Sequence, residues 1–257
     1  IPKAIKIKNT LLLSSGSHGK YLGRIDLKVD NGKVVDFSSN LIPIFSDVIQ
    51  PDPEMTRLID KIREPYEEEC NRVVGQSETL LYRRGNFGGP WDSVICDAII
   101  QERDTEISLS PGFRWGTTLL PGQKITIDDI YSQTSMNYPE VYRTEMSGET
   151  IKNLLEDVCD NIFNPDPFFQ QGGDMVRIGG MSYTCHPKNK MGNRISDLSL
   201  LSNGEKIEAQ KKYTIGGWGS INPDVEGPAI YNVLEDYILD KQNISPKQNN
   251  PVTIKGI

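Results

Sequence analysis

The chain has 257 residues, 37% hydrophobic and 25% charged, ordinary proportions for a globular protein and enough for one large domain or two smaller ones. A formal net charge of -7 excludes a surface built for nucleic acid or an anionic membrane, so any anion site must be local. No apolar run approaches the roughly 18 residues of a membrane-spanning helix.

In chain order, "IPKAIKIKNTLLL" alternates lysines with apolar residues, which predicts a strand with one wet face and not a signal peptide. A chain that opens in mid-sheet is expected to be part of a longer one. Residues 1 to 45 read as strands, with period-two alternation on both sides of Asn31-Gly32, a strong hairpin signal. Pro51 and Pro53 then open a helical pattern at Met55, Leu58, Ile59 and Ile62. Pro65 predicts a kink or break inside it, and Gly75 closes it. The expected organisation is therefore 1–50, a connecting helix at 51–74, and a mixed domain over 75–257.

Past Gly75, Pro90 starts a helix with the stripe Val94, Ile95, Ala98 and Ile99. "TEISLS" reads as a strand and "DDIYSQTSM" as a short helix or turn. "VYRTEMSGETIKNLLEDVCDNIF" runs from strand into helix, with Ser147 as N-cap and Glu149 in the first turn. "NPDPFFQQGGDMVRIGG" holds too much Pro and Gly for either regular state and reads as a loop. "MSYTCHP", "RISDLSLL" and "KKYTIGGWG" are predicted strands, the last two joined through Asn203-Gly204, and "GPAIYNVLEDYILDK" is a final helix. Residues 241 to 257 are expected to be a loosely held tail. Strands and helices mix without a βαβ rhythm, which gives an α+β fold with a mixed sheet.

Four loops carry candidate chemistry. "LLYRRGNFGGPWD" sets Arg83 and Arg84 before a Gly-rich turn and a helix start, a combination that favours an anion. "LSPGFRWGTT" breaks a strand at Pro111-Gly112 and then holds Arg114 between Phe113 and Trp115. Such an arginine either pairs with an internal carboxylate or offers a rigid fork to a ligand anion. "FFQQGGDMVRIGG" brings the aromatics Phe168 and Phe169, the amides of Gln170 and Gln171, and Gly172-Gly173, which signal either close backbone approach or a turn with positive φ. "GGWGSINPDVEGP" opens a strand end into Trp218, Ser220 and Asn222. All four lie at strand ends, where ligand sites collect on rigid scaffolds.

The four cysteines, Cys70, Cys96, Cys159 and Cys185, form no CxxC pair, and Cys96 and Cys159 read as buried free thiols. The two histidines, His18 and His186, are far apart, too few for a histidine-rich metal site. No Ser-His-Asp order, phosphate-loop lysine motif or credible general base is present. Residues 75–257 look built to hold a substrate for chemistry supplied elsewhere.

At these residues a resemblance enters. "GSHGKYLGRIDLKVDNG" resembles the last hairpin of the metallophosphoesterase domain of 5'-nucleotidases, residues 51–74 their connecting helix, and 75–240 their C-terminal substrate-binding domain. "LLYRRGNFGGPWDSVICDAI", "LSPGFRWGTTLLPGQ", "YRTEMSGETIKNLLEDVCDNIFNPDPFFQQGGDMVRIGG" and "GGWGSIN" more closely resemble the SoxB thiosulfohydrolases of bacterial sulfur oxidation. The resemblance implies a 5'-nucleotidase C-terminal-domain-like mixed sheet with flanking helices. It also implies a periplasmic hydrolase with two manganese ions, held by an upstream domain and not by this chain, that releases sulfate from a cysteine S-thiosulfonate on the SoxYZ carrier protein. His18, on the closing hairpin, would be structural. Arg114 would be the catalytic residue that neutralises charge on the sulfonate. Arg83, Arg84, Phe113, Trp115, Gln171, Gly172, Gly173, Asp174, Trp218 and Asn222 would line the substrate, with Gln171 and Asp174 bonding the peptide groups of a narrow carrier arm. Two alternatives stand beside this reading. One is a 5'-nucleotidase-type phosphoesterase domain with Phe168-Phe169 as base platform, and the other is a non-catalytic module that docks the carrier.

Overall fold

The computed structural model describes residues 3–16, 19–114, 116–222, 224–246 and 251–256, which leaves His18 and Trp115 outside the described residues. The chain divides into two compact units, Ile1–Tyr66 and Glu67–Ile257.

The first unit is a hairpin assembly. Strands β1 (Ile5–Ile7) and β2 (Thr10–Leu12) pair antiparallel, as do the long strands β3 (Tyr21–Asp30) and β4 (Lys33–Pro43). Asn31 (φ 47°) and Gly32 (φ 74°) both adopt the left-handed conformation that a tight hairpin turn requires. Helix α1 (Pro53–Arg63) starts where the Asp52 carboxylate accepts from the backbone of Glu54 and Met55, with Pro53 in the first turn. It stops where Pro65 cannot donate to the preceding turn, and a 3-10 turn at Glu64–Tyr66 takes over. Among the described residues of this unit none is buried, and the stripe Met55, Leu58, Ile59 and Ile62 is exposed.

The second unit carries two contiguous cores. Its elements are α2 (Glu67–Cys70), β5 (Val73–Ser77), α3 (Pro90–Arg103), β6 (Ile107–Ser110), β7 (Lys124–Thr126), α4 (Ile127–Thr134), β8 (Tyr142–Ser147), α5 (Gly148–Phe163), β9 (Arg177–Gly179), β10 (Met181–Cys185), β11 (Ile195–Leu200), β12 (Lys212–Gly217), α6 (Ile230–Lys241), β13 (Asn243–Ile244) and β14 (Val252–Ile254). The central sheet runs β8-β12-β6-β9, with β12 parallel to β6 and antiparallel to β8. Two further three-stranded sheets have the orders β11-β10-β14 and β13-β5-β7. The fold is α+β with mixed sheets.

Side-chain size on the central sheet decides how the helices pack. Ile107, Leu109 and Ile215 join the core that α5 completes through Ile151 and Leu155. The opposite face is small: a Cβ added at Gly179 would lie 2.7 Å from Cys96 Cβ, and one at Gly216 would lie 2.6 Å from Ile99 Cγ2. Helix α3 therefore lies close on this face, and α6 packs against α3.

Local signals act as the sequence implies in most places. The Ser147 hydroxyl caps α5 by accepting from the Thr150 backbone, and Thr126 and Asp129 cap α4 reciprocally. Three segments differ from expectation. Gly75 does not close the helical stretch, which ends at Cys70, but lies inside β5. The Pro/Gly-rich stretch is not all loop, because Pro167–Phe169 forms a 3-10 turn and Arg177–Gly179 joins the central sheet. The tail is not loose over its described part: β14 pairs parallel to β10, with Tyr183 opposite Val252, and Val252 is buried.

One buried carboxylate fastens α5 to the loop before β11. Glu156 accepts from Lys152 Nζ (2.9 Å) and the backbone of Gly192 (2.8 Å), Arg194 (3.2 Å) and Ile195 (2.8 Å). Burial alone would raise its pKa, but those bonds outweigh burial and hold it below the usual carboxylate value. Because the folded pKa is depressed, the contribution is fully present above the unfolded value and is lost as pH falls through the folded one. Glu156→Gln offers an NH2 to backbone donors that need an acceptor. It is expected to cost about 2 kcal/mol at pH 7 in denaturant titration. The gap between variant and wild type should shrink below about pH 4.

Candidate anion-binding site

Three of the candidate loops converge because of strand register. Loops leave the C-terminal ends of the parallel neighbours β6 and β12 side by side, with Leu109 opposite Gly217. Strand β9 runs antiparallel to β6 with Arg177 opposite Ser110, so the loop that precedes it enters at the same end. The loop after β5 joins them through backbone contacts: Met175 donates to the Asn86 carbonyl at 2.9 Å. At Gly112 only glycine fits, since a Cβ would stand 2.4 Å from the Met175 carbonyl oxygen.

Through this junction runs a chain of alternating charge. Arg83 is 1% exposed and all three of its guanidinium nitrogens are bonded: Nε to Asp92 Oδ1 (2.7 Å), Nη1 to the Gln133 carbonyl (2.7 Å) and Nη2 to the Pro111 carbonyl (2.9 Å). Its guanidinium also lies 5.7 Å from the centre of the Phe113 ring. Asp92 Oδ2 meets Arg177 Nε at 3.4 Å and accepts from the Gly89 backbone at 2.8 Å. Arg177 reaches Asp174 Oδ2 at 3.3 Å, and the same oxygen accepts from Arg114 Nε at 2.7 Å. Burial pushes the Asp92 carboxyl up while Arg83 and Arg177 pull it down, and burial opposes the Arg177 charge that Asp92 and Asp174 support.

Three arginines against two aspartates leave the chain one positive charge in excess. Four of the five members are buried, but the Arg114 side chain is 51% exposed. The excess charge therefore has one member that meets solvent. Asp174 accepts from Arg114 through Nε, a contact that engages neither Nη group. Of the two alternatives posed by the Pro-Gly break, the pairing with an internal carboxylate is the one observed, on a side chain that stays half exposed.

Arg177, which the sequence reading did not single out, does more than pass charge along. Its Nη2 donates to the carbonyls of Gly85 (3.0 Å) and Phe113 (3.3 Å). These are the residues directly after Arg84 and directly before Arg114. One buried nitrogen thus holds the backbones of both outer arginines. Arg84 is half-buried and donates Nη1 to the Arg83 carbonyl at 3.0 Å. The signal for Arg177 was a charge in the otherwise apolar "MVRIGG", and for Asp92 a carboxylate in the first turn of α3.

The remaining expected residues take varied places. Arg83 is a buried fastener of three segments and does not face a ligand, because its donors are committed to protein groups. Asp174 holds arginines and does not face peptide groups. Trp218 is 3% exposed and belongs to the core, its Nε1 donating to Ser110 Oγ at 2.8 Å, so it offers no stacking face. Asn222 is exposed and its side chain accepts from the Asp224 backbone, bracing its own turn. Gln171 is exposed. Gly172 (φ 83°) and Gly173 (φ 88°) have nothing within 4 Å of an added Cβ, so conformation and not crowding requires them. Phe168 and Phe169 stand out at 95% and 64% exposed. Among the described residues no group of three or more His, Cys, Asp or Glu side chains could hold a metal ion, and no helix is long and apolar enough to cross a membrane.

Comparison with known proteins identifies the family of the domain that carries this site. Residues 73–219 match the model of the 5'-nucleotidase, C-terminal domain. The sulfate thiohydrolase SoxB of Thermus thermophilus superposes with a TM-score of 0.90 at 29% identity, over 100% of this chain and 48% of that one. A 5'-nucleotidase precursor from the same species shares the fold with a TM-score of 0.80 at 13% identity, over 98% of this chain and 54% of that one. The trifunctional nucleotide phosphoesterase YfkN of Bacillus subtilis is 26% identical over 208 residues, 77% of this chain and 14% of its own length. The chain thus spans about half of these solved structures and about a seventh of the curated relative.

Proposed function

Because the chain belongs to the 5'-nucleotidase C-terminal domain family, whose relatives are named as hydrolases, we propose that it is the substrate-binding part of a SoxB-like sulfohydrolase. In this reading residues 1–50 end a metallophosphoesterase domain, 51–74 connect, and 75–257 hold the substrate. The substrate is a cysteine S-thiosulfonate on the SoxYZ carrier, and the enzyme works in the periplasm. The observation that carries the reading is the half-exposed Arg114 guanidinium, fixed by Asp174 at the end of a charge chain with one positive charge in excess.

Arg114 and Arg84 bind and orient the sulfonate, and Arg114 offsets charge that grows on its oxygens as sulfate leaves. The open Gly172-Gly173 backbone leaves room for a slender peptide arm. The described residues do not fit a pair of manganese ions. The metals belong to the upstream domain in this proposal, and no step through them is assigned to this chain.

A second reading rests on Phe168 and Phe169, whose exposed rings would suit a nucleobase. Full-length enzyme given a carrier-arm peptide bearing cysteine S-thiosulfonate should release sulfate, and given AMP should release no phosphate. Phosphate from AMP alone would return the protein to the nucleotidases. Binding of the peptide with no product from either would make it a docking module.

A further inference from the structure

We infer that Cys159 and Cys185 form a dithiol–disulfide site in the interior of the second unit, closed by exchange with an external disulfide. Their Sγ atoms lie 3.7 Å apart, on α5 and β10, 26 positions apart in sequence. Both side chains are fully buried. A disulfide needs about 2.05 Å between sulfurs, so the gap to be closed is about 1.7 Å, within reach of side-chain rotation. The other cysteines stand apart from the pair. Cys96 belongs to the α3 face of the central sheet, where burial pushes its thiol to about 12, and Cys70 sits on α2.

The two sulfurs are in contact, and either can donate to the other. Either can also open the exchange, for instance Cys185. Its thiolate attacks one sulfur of the external disulfide and expels a thiolate, which takes up the Cys185 proton. Cys159 then attacks the Cys185 sulfur of the mixed disulfide and expels the second thiolate, which takes up the Cys159 proton. One S–S bond forms, one breaks, and two electrons pass from the cysteine pair to the external disulfide. Because both thiols are buried, exchange runs while α5 is lifted from β10, during folding or local opening.

The loop so closed contains the whole 164–176 segment, including Gly172, Gly173 and Asp174. The cross-link would tie both ends of that segment to a rigid core without touching a ligand.

The test is to refold the full chain from denaturant in a mixture of oxidised and reduced glutathione, then trap free thiols by alkylation. The site predicts a mass about 2 Da below that of the reduced chain before alkylation, and after it a peptide map joining Cys159 to Cys185 with Cys70 and Cys96 alkylated. It also predicts a Tm higher by roughly 5 °C than in dithiothreitol. Full alkylation of both Cys159 and Cys185, or cross-links that pair either with Cys70 or Cys96, would overturn it. A Cys159→Ala chain should gain no cross-link, and if that variant does not fold the wild-type peptide map decides alone.

Discussion

If the proposed sulfohydrolase reading holds, replacing Arg114 by alanine in the full-length enzyme is expected to lower kcat for sulfate release by about 100-fold, the usual effect of losing one preorganised charge at a developing oxyanion. Stability should change little by comparison. Asp174 keeps its contact with Arg177, and the lost pair has a half-exposed partner, so about 1 kcal/mol is expected. The split between a large kinetic loss and a small thermal one is the signature to seek. Arg114→Lys should recover little, because an ammonium gathers its donors on one nitrogen and lacks the planar fork that spans Asp174 and a sulfonate at once. Wild-type turnover in Arg114→Ala would remove this residue from the mechanism.

A second large effect is expected at Asp92, on stability. This carboxylate lies between the buried guanidiniums of Arg83 and Arg177 and also accepts from the Gly89 backbone. Asp92→Ala leaves two like charges facing each other in the interior, and about 3–5 kcal/mol should be lost in chemical denaturation at pH 7. The control is the exposed pair Lys212–Glu145, with side chains 71% and 57% exposed. Glu145→Ala there should stay within about 0.5 kcal/mol. Equal effects at the two sites would mean that the buried chain contributes nothing special.

Local chemistry made much of this fold readable. Ser147 marks its helix start by a hydroxyl that reaches the next turn, Pro90 opens α3, and Asn31-Gly32 turns the hairpin. Arg114 was legible for the same reason, since Pro111-Gly112 breaks the strand immediately before it. What stayed hidden depends on partners remote in sequence. Arg177 meets the Gly85 carbonyl across 92 positions, and nothing in "MVRIGG" names that partner. Arg83 and Arg84 look equivalent side by side, yet register buries one and leaves the other half-exposed. Trp218 could have been a stacking platform or a core residue, and only its bond to Ser110, 108 positions away, decides. The strand at 252–254 escaped notice because a three-residue strand in polar surroundings carries almost no periodicity.

The parallel pairing of β12 with β6 also fixes when the central sheet can be completed. Ile107 must wait for Ile215, and Ser110 for Trp218, before the central sheet closes. Contacts of such long range are slow to form, since the loop entropy is lost before the pairing rewards it. A nascent chain that ends before β12 can already pair β6 with β9 and bring Asp174 and Arg177 to the Arg114 loop, but it lacks the β12 side of the central sheet. The Arg114 loop is therefore braced on its β9 side first, and β12 completes the central sheet afterwards.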